Sequence, residues 1–80
     1  MKVRVKLIAI YRKLLPPDAD GNQFEVEIEP GTTVGDLLSR YNVPLDPTSV
    51  ILLNGHTVED YNRELTDGDK VGAFSAVAGG

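Results

Sequence analysis

Val3, Val5 and Leu7 alternate with Lys2, Arg4 and Lys6, a period of two that predicts a half-buried strand. Apolar residues continue through Ile8 and Ile10, so this first strand is expected over residues 2–10. The alternation returns over residues 23–29, with Phe24, Val26 and Ile28 on one side and Glu25, Glu27 and Glu29 on the other. Cations on the first strand and carboxylates on the second would share one exposed face of an antiparallel pair. Each such cross-strand pair is worth about 0.2–1 kcal/mol. The connection from Arg12 to Asn22 carries Pro16-Pro17 and Asp20-Gly21-Asn22, which are breakers, and reads as a long loop.

After Pro30-Gly31 the period changes. Val34, Leu37, Leu38 and Tyr41 fall at i, i+3, i+4 and i+7, one face of a short helix. Thr33 is placed to cap it, Asp36 lies in its first turn, and Asn42 and Pro44 stop it. Val50 to Leu53 reads as a third, mostly buried strand. Asn54-Gly55 then predicts a tight hairpin turn into a short strand at His56-Thr57-Val58. A polar loop leads to Asp67-Gly68 and a last strand from Lys70 to Ser75. The order is β-β-α-β-β-β, in which one helix covers one face of a mixed sheet. The fold class is α+β. The domain is expected over 1–75, with 76–80 as a flexible tail.

Composition narrows the function. The chain has 80 residues, a net charge of −4 and no cysteine. One domain without disulfides, thiolate metal sites or a cysteine nucleophile is expected. The acidic balance argues against binding nucleic acid, whose affinity rests on cationic contacts. No run of about 20 apolar residues exists to span a bilayer. The opening residues alternate apolar and cationic instead of forming a leader's apolar block, so a cytoplasmic protein is expected.

The last residues, Phe74-Ser75-Ala76-Val77-Ala78-Gly79-Gly80, are small, uncharged and glycine-ended. Glycine lacks Cβ, so another protein's backbone can approach closely, and Gly79-Gly80 suits a terminal carboxylate that must thread a narrow tunnel. Five extended residues reach at most about 16–18 Å. A free carboxylate is a poor acyl donor and must first be activated. With no phosphate-cradling motif in the chain, ATP and its site are expected on a partner enzyme. No cofactor is expected on the chain itself.

These features resemble the MoaD/ThiS family of ubiquitin-like sulfur carriers, which have the β-grasp fold. The resemblance rests on the element order, Leu53-Asn54-Gly55, Leu65-Thr66-Asp67-Gly68-Asp69-Lys70-Val71 and the closing Val77-Ala78-Gly79-Gly80. It covers essentially the whole chain. Its length, the opening strand running into Tyr11-Arg12 and the long first loop are most similar to the MoaD type, the small subunit of molybdopterin synthase. The departure is Ser75-Ala76, where many MoaD proteins have prolines. The resemblance implies a co-substrate, not a catalyst. An E1-like adenylyltransferase would adenylate Gly80, and a sulfur donor protein would convert it to a thiocarboxylate. The synthase large subunit, in a heterotetramer of two small and two large subunits, would then receive the tail. Gly79 would give clearance, and Val77 and Ala78 would line the threading arm. A ThiS-type carrier for thiamine thiazole, a protein modifier joined to lysines through Gly80, and a plain β-grasp interaction module stay open as alternatives.

A second site follows from the strand pattern. If the last strand lies parallel beside the first, Ile8, Ile10 and Phe74 are uncharged outward positions near the point where the tail departs. They are expected to form an apolar docking patch for the activating enzyme or the synthase. Other candidates are weaker. Asp18, Asp20, Asn22 and Glu29 mimic a calcium loop, but Gln23 stands where that loop needs glycine. Asp67-Gly68-Asp69 reads as a turn. His56 has no nucleophile or ligand partner near it in sequence, and Glu59, Asp60 and Glu64 belong to a polar loop. No metal site is expected.

Overall fold

The computed structural model describes residues 1–76. Strand β1, Lys2–Leu7, buries Val3, Val5 and Leu7 and turns its three cations outward. It pairs antiparallel with β2, Gln23–Glu27, setting Lys2 opposite Glu27 and Arg4 opposite Glu25. Unlike charges therefore do face each other. Arg4 and Glu25 come to 3.4 Å with side chains about half exposed, so solvent leaves that pair little net stabilisation.

The five strands run β2-β1-β5-β3-β4. Strand β3 is Ser49–Leu53, β4 is His56–Thr57 and β5 is Lys70–Ser75. The central pair, β1 and β5, is parallel, and β5 pairs antiparallel with β3. Helix α1, Val34–Ser39, buries Val34, Leu37 and Leu38 completely. With one helix, one face of the sheet carries the core and the other stays open: the ubiquitin-like β-grasp arrangement of an α+β domain.

Helix α1 is short, and its ends are satisfied from outside it. Thr33 and Asp36 form a reciprocal capping box, with bonds of 3.0 and 3.1 Å. The remaining orphan donors go to the distant polar loop: Val34 N–H to Arg63 O at 2.9 Å and Gly35 N–H to Tyr61 O at 2.8 Å. That contact is close enough that a Cβ on residue 35 would meet Tyr61 O at 3.0 Å. Beyond the helix, Asn42 adopts a left-handed φ of 63°. The Asn42 N–H then reaches Ser39 O and the Val43 N–H reaches Leu38 O, the bond pair of a Schellman ending. Tyr41, expected on the helix face, sits half-buried just past it and meets Phe24 edge-on at 4.8 Å.

One expectation is corrected. The first strand does not run to Ile10. It stops at Leu7, Ala9 takes a positive φ of 56°, and Ala9–Leu14 winds into a 3-10 helix. The turn buries Tyr11, whose hydroxyl hydrogen-bonds the buried Ser49 hydroxyl at 2.6 Å. Burying that ring with its polar tip satisfied outweighs two more residues of strand pairing. Part of the expected long loop is therefore ordered helix.

Candidate functional site

Strand β5 joins two ends of different character. At its start, Asn54 and Gly55 both hold positive φ, 51° and 86°, as a two-residue type I′ turn requires. The Asn54 side chain then bridges onward: its Oδ1 accepts the Lys70 N–H at 2.9 Å and its Nδ2 donates to Asp69 Oδ1 at 3.0 Å. Asp69 also accepts the Thr66 N–H at 2.8 Å and the Thr66 hydroxyl at 3.1 Å. Asp67 ties the same turn to β1 by accepting the Lys2 N–H at 2.8 Å. Burial alone would raise the Asp69 carboxyl, but the bonds from Thr66 and Asn54, with the Arg63 charge, outweigh it and hold it below the ordinary carboxylate range. These residues carry the family resemblance, and what they do here is fix β5.

At its far end β5 leaves the sheet beside the start of β3. Ser75 lies opposite Ser49, and the exposed Ala76 donates its N–H to Thr48 O at 2.7 Å. Thr48 is itself held by Asp46, whose carboxylate accepts both its N–H and its hydroxyl. Those two bonds keep Asp46 below the ordinary carboxylate range. The expected tail residues Val77, Ala78, Gly79 and Gly80 lie outside the described residues.

The open face beside that exit is apolar. Ile8 keeps an extended backbone (φ −116°, ψ 156°) and donates its N–H to Ala73 O, which continues the β1–β5 ladder by one step. Alternation then sets Ile8 beside Phe74, both half-buried. Ile10 is not a strand position: it sits in the 3-10 helix and is 46% exposed. The sequence reading missed Val50 and Leu52, which stand opposite Phe74 and Gly72 on the same face. Ile51 and Leu53 point into the core while Val50 and Leu52 do not. The available signal was the single helix, which can cover only one side of a four-residue apolar run.

Among the described residues no cluster of His, Asp and Glu is arranged to hold a metal ion, and no helix is long and apolar enough to cross a membrane.

The family described as ThiS matches residues 5–80. No curated protein sequence matches the chain. Among solved structures, the putative molybdopterin converting factor subunit 1 of Pyrococcus furiosus is 31% identical, with a TM-score of 0.73 over 95% of this chain and 98% of that one. The small archaeal modifier protein 1 of Haloferax volcanii has a TM-score of 0.74 at 20% identity, covering 95% and 98%. A complex of subunits 1 and 2 of the molybdopterin-converting factor of Helicobacter pylori gives 0.60 at 22% identity and full coverage of both chains. The last two likenesses establish the fold alone. Because the family match spans nearly the whole chain and the β-grasp fold accords with it, this protein belongs to the ThiS family of ubiquitin-like sulfur carriers.

Proposed function

We propose that this carrier delivers sulfur from a thiocarboxylate on Gly80 to molybdopterin synthesis, as the small subunit of the synthase. The observation that carries the reading is the family match running through Gly80 on a fold whose last strand leads out beside an apolar face. The molybdopterin assignment is supported by the Pyrococcus furiosus protein at 31% identity. The Helicobacter pylori complex supplies the class of partner, a second synthase subunit.

The chemistry is acyl activation. The Gly80 carboxylate attacks the α-phosphorus of ATP on an E1-like adenylyltransferase, and pyrophosphate leaves. A free hydrosulfide ion supplied by the donor protein then attacks the acyl carbon, AMP leaves, and loss of the S–H proton gives the thiocarboxylate. Four residues beyond Ala76 reach at most about 13–14 Å, enough to carry that group into the large subunit. Gly79 keeps the arm thin, and Val77 and Ala78 occupy its threading length. Ile8 and Phe74, extended by Val50 and Leu52 and flanked by Ile10, form the docking patch. The reactive group belongs to this chain and the catalytic groups to its partners.

A second reading, a modifier that forms isopeptide bonds with lysines through Gly80, draws on the shared fold with the archaeal modifier protein. A ThiS-type role in thiazole synthesis fits the family match equally. Intact mass after co-expression with an E1-like enzyme separates these chemistries. A carrier gains a species with one oxygen replaced by sulfur, whereas a modifier gives higher-mass lysine conjugates. Adding the large synthase subunit and its precursor then distinguishes molybdopterin from thiazole synthesis. An unmodified chain in every case would sink both readings.

A further inference from the structure

The open face has a second zone, away from the tail exit, where the charge runs against the molecule's net −4. Arg4 on β1 lies directly opposite Lys70 on β5, and Lys6 lies opposite Gly72 one step along the same face. These three cations line one groove with Gln23 and with Leu52 and Gly72. Like charges placed opposite each other in a sheet are destabilising, so this arrangement works against the fold.

The sequence relieves it at Arg4 alone. Among the described residues, Arg4 alone of the three has an ion pair, to Glu25, and no carboxylate comes within ion-pair distance of Lys6 or Lys70. The acidic run on β2 breaks at this point, with Gln23 opposite Lys6. Glu25 and Asp67 border the adjoining hollow, but Glu25 is engaged by Arg4 and Asp67 by the Lys2 N–H. A local rule broken with compensation on one side only, leaving Lys6 and Lys70 without a carboxylate, is a mark of a functional surface.

We propose that this groove seats a carboxylate-bearing segment of a protein partner, whose aliphatic side chains continue onto Leu52, Val50 and Phe74. Unpaired cations supply steering and register, and the contiguous apolar strip supplies affinity. The apolar continuation and the acidic balance of the chain favour a protein over a nucleic acid, which would meet net repulsion. The inference rests on the docking role proposed above for the identity of the partner, the activating enzyme, but not for the existence of the groove.

The test has two arms, each run on the full chain. In the first, the isotope-labelled protein is titrated with a decapeptide of alternating glutamate and leucine, a lysine–leucine counterpart and a single-stranded RNA oligonucleotide. The acidic peptide should shift the amides of Lys6, Leu52, Lys70 and Gly72, and K6E/K70E should weaken its binding by about tenfold or more. Equal binding by that variant, or preference for the basic peptide or the RNA, would overturn the proposal. K6A/K70A serves if the double reversal does not fold. In the second arm the same variants are adenylated by the host's E1-like enzyme, where KM should rise with salt-sensitive dependence while kcat holds. An unchanged KM would overturn the assignment to that enzyme. If the wild-type chain is not adenylated at all, the proposed function fails, and the peptide titration alone decides the groove.

Discussion

The two ends of β5 divide the work of the molecule. At the start of the strand, Asn54, Thr66, Asp67 and Asp69 interlock two turns and the edge of β1 through side-chain hydrogen bonds. At its end, Ala76 is tied by one backbone bond to Thr48. The motif that makes the chain recognisable is concentrated at the end that is held, while the proposed chemistry lies past the other. A recognisable motif can thus be the anchor of a site and not the site, because a strand can present its terminus accurately only if its other end is fixed.

That contrast can be broken in order of expected effect. Asn54→Ala removes two side-chain bonds and places a Cβ residue without a compensating polar group at positive φ. It should cost about 2 kcal/mol in chemical denaturation, and a loss below about 0.5 kcal/mol would show that the turn is not an anchor. Asp69→Ala at the same cluster should cost about 1 kcal/mol, because its partners are partly open to water.

The acid response follows from the same residue. The folded carboxyl of Asp69 lies below its ordinary value. Its contribution is therefore complete above the ordinary carboxylate range and fades as pH falls through that range towards the lower folded value. Stability should decline there in the wild type, and Asp69→Asn should flatten the decline. A wild-type and variant pair with parallel acid profiles would contradict this. Asp46, lowered by its bonds from Thr48, should add in the same direction.

At the other end the effects on folding should be small and the effects on partners large. Phe74→Asp, at a half-buried open-face position, should leave the unfolding midpoint nearly unchanged and weaken binding to the activating enzyme by about tenfold. Undiminished binding would remove the patch. Ala76→Pro deletes the backbone N–H that donates to Thr48 and should change stability by less than about 0.5 kcal/mol. A larger loss would mean that the exit is as firmly anchored as the start.

Much of the frame was legible because it is local. Lys2, Arg4 and Lys6 against Glu25 and Glu27 announced the first pair, Asn54-Gly55 announced its turn, and Thr33 with Asp36 announced the helix start. What escaped depends on distant partners. Ile8-Ala9-Ile10 reads as strand because both faces stay apolar past Leu7; only the bond from Tyr11 to Ser49, far along the chain, reveals why the chain turns. Arg63 and Tyr61 looked like solvated loop, yet their carbonyls complete the first turn of α1. Val50 and Leu52 were hidden in a run that looks the same whether one face is buried or two. The like-charge meeting of Arg4 and Lys70 required the parallel register of β1 and β5.

The most direct test removes the final glycine and leaves everything else in place. With an E1-like enzyme and a sulfur source, the intact chain should acquire the mass of a thiocarboxylate and support dithiolene formation with the large subunit. The chain lacking Gly80 should unfold at the same midpoint and do neither. A shortened chain that takes up sulfur and supports the cofactor as well as the whole protein would contradict the account.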